Sequence, residues 1–281
     1  MSKLDDLITE ISVTRRLCAI AAERAGLLAL IGGPGPDGQP GGGCYSYASF
    51  AATVQSAAAG LSWRGLQPRD VVGVLAPDAV SFTLAAHAVR AAAGVPSPVD
   101  PALGAVETAG QLAESGARMI ITAPPLAEHA LAAVDRSWVR QVFSFVDAPG
   151  ATRFSDLLGL DVIRPPRGRP DDIALLPFSR GADGRLHPVP VTHGELFAAI
   201  DEADQRAKIT DRDVALVTPP SGDGLAYTAL VDAALLRGAT IVAARGLELA
   251  VAAAVHHGTV AVVPPGGDIA VPASLRAIDV G

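Results

Sequence analysis

The stretch VVGVLAPDAVSFTLAAHAVRAAAGVPSPV, residues 71–99, decides the fold. Val71–Ala76 is a short aliphatic run, as expected of a strand buried on both faces. Asp78 supplies an N-cap, and the residues through Ala93 lack Gly and Pro, so they read as a helix closed by Gly94. Val95–Val99 is a second short strand. Pro96 and Pro98 interrupt it, and a proline donates nothing to a strand ladder, so it belongs at an edge or a bend. Strand, helix and strand at this spacing make a β-α-β unit, which joins parallel strands.

The same alternation continues downstream. Thr108–Ser115 reads as helix ended by Gly116, Arg118–Thr122 as strand, Leu126–Val134 as helix and Val139–Val146 as strand. A basic, proline-rich connector follows at residues 164–170. Beyond it, Ile173–Pro177 and Val189–Thr192 read as strands around a loop, Ser179–Pro188. His193–Arg206 reads as helix. Strands are expected at Val214–Val217, Thr240–Ala243 and Val260–Val263, with helices Leu225–Leu236 and Leu247–Val255 between them. Upstream, Ser46 caps a helix to about Arg64. Residues 32–43, GGPGPDGQPGGG, read as a flexible linker. Residues near 4–30 read as helix from the spacing of Leu4, Leu7, Ile8 and Ile11. The fold class is therefore α/β, with parallel sheets flanked by helices and no internal repeat.

Composition sets outer limits. The 281 residues are 49% hydrophobic, 18% charged and 4% aromatic, so small aliphatic side chains fill the core. A net charge of −7 argues against nucleic-acid binding. Ala-rich segments are broken by Arg, Asp, Gly and Pro, so no membrane span is expected. The amino terminus has no signal-peptide pattern, and Cys18 and Cys44 are isolated, which together point to a reducing, cytoplasmic setting. No Cys/His cluster has zinc spacing, so no metal site is expected. No G-x-G-x-x-G follows a strand and no G-x-S-x-G is present. A Ser221/His193/Asp223 triad is therefore disfavoured, and no catalytic residue is assigned. His193 reads as a cap or surface residue, and His256-His257 as a helix end.

Read in order, several short motifs share one pattern. They are Tyr45-Ser46-Tyr47-Ala48, Ala57–Leu61, Gly65–Val72, Leu75-Ala76-Pro77-Asp78, Ala91–Val95, Val99-Asp100-Pro101, Ser115–Arg118 and Asp172–His193. From about Tyr45 to Pro265 the chain resembles the N-terminal region of the adenylate-forming superfamily, which includes acyl-CoA synthetases, luciferases and nonribosomal adenylation domains. The resemblance implies two parallel-sheet lobes, one of about residues 65–200 and one of about 1–64 plus 201–281. It also implies a truncated form, because the family's later adenine, ribose and catalytic-lysine segments do not occur within these 281 residues.

By resemblance, the loop around residues 179–188 is where the family wraps the phosphates of ATP with hydroxyls, backbone N–H groups and a lysine. This chain keeps Ser179, Gly181 and Gly184. Arg180 and Ala182 replace hydroxyl residues, Asp183 replaces a threonine, His187 stands at the lysine position, and Pro188 stands at a glycine position. Ser179, Arg180, Gly181, Gly184, Arg185 and His187 are the candidate phosphate residues. The competing reading is a solvated turn with no nucleotide. Ser221 takes the place of the family's pocket-side His, which makes Ser221 and Gly224 the candidate acyl-pocket residues. ATP or AMP with Mg²⁺ is what the resemblance implies as ligand, or an acyl group.

Four readings remain open at this stage. The chain is an inactive relative working through a ligand or partner, a ligase completed by another chain or a second copy, an unrelated α/β enzyme, or a fragment of a longer ligase.

Overall fold

The computed structural model describes residues 12–32, 43–219, 224–244, 249–263 and 270–279. Strand β3 (Val71–Leu75), helix α3 (Ala79–Ala91) and strand β4 (Val95–Pro98) form the β-α-β unit expected from residues 71–99. Asp78 caps α3 by accepting the Ser81 N–H at 2.8 Å. With β5 (Met119–Thr122), β6 (Gln141–Ser144) and β7 (Thr152–Arg153) these strands make a parallel sheet in the order β4-β3-β5-β6-β7. The proline-bearing β4 is its edge strand. Alternation sorts the side chains. Val72, Val74, Ile121 and Phe143 face one core. Leu75, Ile120 and Val142 face another, with Leu112 of α4 (Ala105–Glu114) and Ala130 of α5 (Ala127–Val134).

A second sheet has the order β15-β14-β12-β13-β1-β2. Its strands are β1 (Leu28–Ile31), β2 (Cys44–Ser46), β12 (Val214–Val217), β13 (Thr240–Ala243), β14 (Val260–Val263) and β15 (Arg276–Asp279). All pairings are parallel except β1 with β2. One face packs Leu216, Val242 and Ala261 against Leu249 of α8 (Leu249–His256). The other face, with Leu30, Ala215, Ile241 and Val262, belongs to the same core as Val72 and Val74 of the first sheet. That shared core also holds α1 (Val13–Glu23), α2 (Tyr47–Trp63), α3, α6 (His193–Ala207) and α7 (Gly224–Arg237), so these helices form the layer between the sheets.

Several expectations need correction. Helix α1 stops at Glu23, and Leu28–Ile31 is strand β1 rather than the end of a helix to residue 30. Ala29, Leu30 and Ile31 are buried in a ladder beside β13, and that tertiary pairing overrides the helical spacing. Residues 1–11 and 33–42, which carry the proposed start of that helix and most of the Gly/Pro linker, lie outside the described residues. Helix α3 is closed by Ala93 in a left-handed conformation, φ 62°, and not by Gly94. Glycine is needed at 94 for space, since a Cβ there would stand 3.0 Å from Val89 Cγ1 and 3.2 Å from the Asp70 carbonyl. The segment expected as loop 179–188 is a hairpin of β9 (Phe178–Arg180) and β10 (Leu186–Pro188). It follows β8 (Ile173–Leu175), which pairs antiparallel with β11 (Val191–Thr192). Strands β2, β7 and β15 were not expected from the sequence.

A buried polar network crosses the helical layer. Arg90 of α3 pairs with Asp232 of α7 at 3.0 Å, with both side chains 3% exposed. His87, one turn earlier, contacts the other Asp232 oxygen at 3.0 Å through Nε2, while its Nδ1 lies 2.8 Å from the Thr14 hydroxyl of α1. A carboxylate only accepts, so Nε2–H donates to Asp232 and Nδ1 accepts from Thr14. Arg90 Nε also reaches the Ala174 carbonyl of β8 at 3.3 Å. Burial holds His87 below its ordinary pKa against the pull of Asp232. Burial alone would raise the Asp232 carboxyl, but Arg90 and His87 override it and hold it low. At the start of α6 the capping side chain is Thr192, in a capping box with Glu195. His193 turns inward, its Nδ1 buried with no hydrogen-bond partner among the described residues, and burial followed by Arg90 drops its pKa to about 4.

Removing one partner of a buried pair leaves the other charge uncompensated. Asp232→Ala should therefore cost about 3–5 kcal/mol in urea denaturation. The apolar triple His87→Phe, Arg90→Met, Asp232→Leu should cost less than that single change. A single-variant cost below about 1 kcal/mol would show that the pair is not structural.

His87 and His193 have folded pKa values below the unfolded value of about 6.5, so the folded chain keeps them neutral where the unfolded chain takes up protons. The stabilisation is present above pH 6.5 and is lost as pH falls towards 4. Tm should drop by about 4 °C or more between pH 7 and 5. His193→Phe should flatten part of that slope, as read by calorimetry across pH.

Candidate functional site

The hairpin is short because its turn folds back on itself. Arg180 pairs with Leu186, and Ser179 with His187. Gly181 N–H donates to the Arg185 carbonyl at 2.8 Å, and Gly184 N–H to the Gly181 carbonyl at 3.0 Å. Gly184 sits at φ +76°, where glycine is favoured. Asp183 lies at the centre. Its Oδ1 accepts the Arg185 N–H at 3.0 Å, and both carboxylate oxygens lie within 3.1 Å of His187 Nε2. The Arg185 N–H, and then His187, hold the Asp183 carboxyl below the ordinary carboxylate range. A Cβ on Gly181 would come within 2.9 Å of both Asp183 Oδ1 and His187 Cδ2. The turn is thus built around its own carboxylate, with glycine where that carboxylate and the imidazole need room.

Helix α4 holds the hairpin from outside. Glu107, Gln111 and Glu114 are spaced i, i+4, i+7 and share one helix face. Arg180 Nη2 donates to Glu107 Oε1 at 3.2 Å, and Nη1 donates to the Gly184 carbonyl at 2.6 Å. His187 Nδ1 lies 3.7 Å from Glu114 Oε1. Gln111 Nε2 donates to the Pro98 carbonyl at 2.7 Å. Arg180 and Glu107 are about half exposed, at 52% and 49%, so their pair contributes no more than about 1 kcal/mol.

A cavity of about 510 Å³ opens beside the hairpin, between the C-terminal end of β4 and the first turn of α7. That is an ordinary size for a small-molecule site. Its walls are mostly apolar, including Val99, Phe178, Leu186, Val189, Leu225 and Tyr227. The polar side chains lining it are Asp100, Gln111, Ser179, Arg180 and Tyr227, whose hydroxyl is buried with no hydrogen-bond partner among the described residues. Helix α7 starts this close to the sheet because residue 224 is glycine; a Cβ there would stand 3.2 Å from Pro98 Cβ and 3.3 Å from Pro177 Cβ. Position at the carboxyl end of a parallel strand is where such sheets place ligands.

The six candidate phosphate residues, Ser179, Arg180, Gly181, Gly184, Arg185 and His187, all lie on the one hairpin. Ser179, Arg180 and Gly224 also line the cavity. Ser221 lies outside the described residues. Sequence reading did not single out Glu107, Gln111, Glu114, Asp100 or Tyr227. The helical spacing 107/111/114 was the available signal for the first three. Among the described residues, no three His, Cys, Asp or Glu side chains are grouped to hold a metal ion.

Two mainly parallel sheets with helices packed on and between them match the fold of the N-terminal domains of acyl-CoA ligases. The AMP-binding enzyme family model matches residues 20–278, and the chain belongs to that family. The 4-coumarate–CoA ligase 4 of Arabidopsis thaliana is 28% identical over 223 residues, 74% of this chain and 39% of that protein. A feruloyl-CoA synthase of an Amycolatopsis species is 28% identical over 202 residues, 72% of this chain and 39% of that protein. The chain thus spans about two-fifths of the length of these relatives. Among solved structures, a long-chain-fatty-acid–CoA ligase, FadD1, from Archaeoglobus fulgidus superposes with a TM-score of 0.79 at 22% identity, covering 91% of this chain and 52% of that one. The inhibitor-bound N-terminal domain of FACL13 from Mycobacterium tuberculosis superposes with a TM-score of 0.78 at 18% identity, covering 96% of this chain and 69% of that one. At these identities the structures show the shared fold. Among the described residues no helix is long and apolar enough to cross a membrane.

Proposed function

We propose that this chain binds an apolar carboxylic acid in the cavity between β4, the hairpin and α7, and that the hairpin as it stands does not grip a triphosphate, so the chain by itself forms no acyl adenylate. The observation that carries this reading is Asp183. Its carboxylate already takes the Arg185 N–H and His187, the groups a phosphate would need. The N–H groups of Gly181 and Gly184 are likewise spent inside the turn. A triphosphate would also meet the Asp183 charge, at about 1 to 4 kcal/mol for unit charges 4 Å apart at effective dielectrics of 80 to 20. Pro188 contributes no N–H. The mostly apolar cavity supports the acyl half of the reading. The relatives named for 4-coumarate and ferulate indicate which acids to try first. A cytoplasmic setting fits the free thiols of Cys18 and Cys44.

A second reading, a ligase completed by a further segment, a partner chain or a second copy, is favoured by α8. Val251 and Val255 on that helix are 64% and 63% exposed, an apolar face on an otherwise apolar helix. Sedimentation at micromolar concentration separates the readings, because a clean monomer counts against the second copy.

The direct test is ATP–pyrophosphate exchange with Mg²⁺ and a panel of 4-coumarate, ferulate, benzoate and a long-chain fatty acid, alongside calorimetric binding of each acid. The expected result is acid binding with no exchange. Replacing Asp183 with Thr and Pro188 with Gly together should raise affinity for inorganic pyrophosphate about tenfold, a change of about 1.4 kcal/mol. Exchange or acyl-AMP formation by the unaltered chain would overturn the proposal.

A further inference from the structure

We infer that Arg180 is the residue that recognises the acid group in the cavity, and that a bound carboxylate takes the Arg180 guanidinium from Glu107. This inference rests on the cavity being an acyl site. Among the described residues lining the cavity, only Asp100 and Arg180 carry charge. Asp100 Oδ1 accepts the Ala102 N–H at 2.8 Å, and its charge repels an acid. The acid group is therefore directed to the Arg180 end.

The guanidinium is already positioned there. One nitrogen is anchored on the Gly184 carbonyl and another on Glu107. Glu107 is not among the lining residues, but it stands one turn from Gln111, which is, so the ion pair lies at the cavity rim. Both partners are about half exposed, and a half-exposed pair exchanges one carboxylate for another at little cost. An incoming carboxylate leaving the low-dielectric cavity wall for the guanidinium fork gains a charge-assisted bond that a neutral amide of the same shape cannot make. Glu107 thus acts as the resting occupant. It keeps Arg180 extended over the rim and sets a threshold that only an anionic ligand passes. The Glu114 contact with His187 is at the other end of the same helix face and stays in place during the exchange, so the hairpin remains seated on α4.

Calorimetry at low ionic strength with 3-phenylpropionate and its neutral analogue 3-phenylpropanamide tests this. The unaltered chain should bind the acid about tenfold more tightly than the amide. Arg180→Gln should abolish that preference while the amide binds within about twofold of its original strength, which also shows that the variant is folded. Glu107→Gln should strengthen acid binding several-fold and leave amide binding unchanged. An acid-to-amide ratio unaltered by Arg180→Gln, or weaker acid binding in Glu107→Gln, would overturn the role of Arg180 alone. Failure of both acid and amide to bind the unaltered chain would overturn the cavity reading and this inference with it.

Discussion

The Arg90–Asp232 pair, with His87 beside it, is the constraint from which the rest of the structure takes its positions. The layer between the two sheets is made of helices rich in alanine, and small side chains let such helices slide with little change in packing. A buried carboxylate shared by one arginine and one histidine does not allow that slide, because every displaced contact leaves a charge or a donor unmet in a dry interior. The network ties α3, which covers the first sheet, to α7, which leads into the second, and Thr14 adds α1. Through the Ala174 carbonyl it also fixes β8. Ser97 of β4 reinforces that placement by donating to the Leu176 carbonyl at 2.8 Å. The hairpin follows immediately, so the site inherits its location from a set of charges far from it in function.

The hairpin satisfies its own polar groups from within. Its backbone geometry remains that of a glycine-rich turn with several N–H groups close together, an arrangement suited to anions. Asp183 supplies an anion from within the chain, and His187 and Arg180 are engaged by carboxylates in turn. Charge is balanced locally without an external ligand. The adjoining cavity, by contrast, has unfilled apolar volume and a cation at its rim, and it is the part of the site with capacity left for a small molecule.

Much of the fold was legible because it rests on local signals. The cap at Asp78, the aliphatic run Val71–Leu75 and the prolines of β4 each mean the same thing in isolation as they do in the folded chain. Strand β1 was misread because Leu27–Ile31 follows a segment with helical spacing, and only its pairing with β13, more than 200 residues on, makes it a strand. Residues 179–188 were singled out by resemblance and expected as a loop, with Asp183 in place of a threonine; that Asp183 satisfies the turn from inside is a matter of geometry. The His87–Asp232 contact spans 145 positions and carries no sequence signature. Glu107 and Glu114 were not singled out in the sequence, because their partners Arg180 and His187 lie more than 70 positions away on the hairpin.

The most direct measurement is a ¹H–¹⁵N NMR titration of the chain with ATP and Mg²⁺, following the amides of Gly181, Gly184 and Arg185. A turn already satisfied by Asp183 should leave these resonances in place up to millimolar nucleotide. Saturable shifts at those three amides at micromolar ATP would contradict a self-occupied turn.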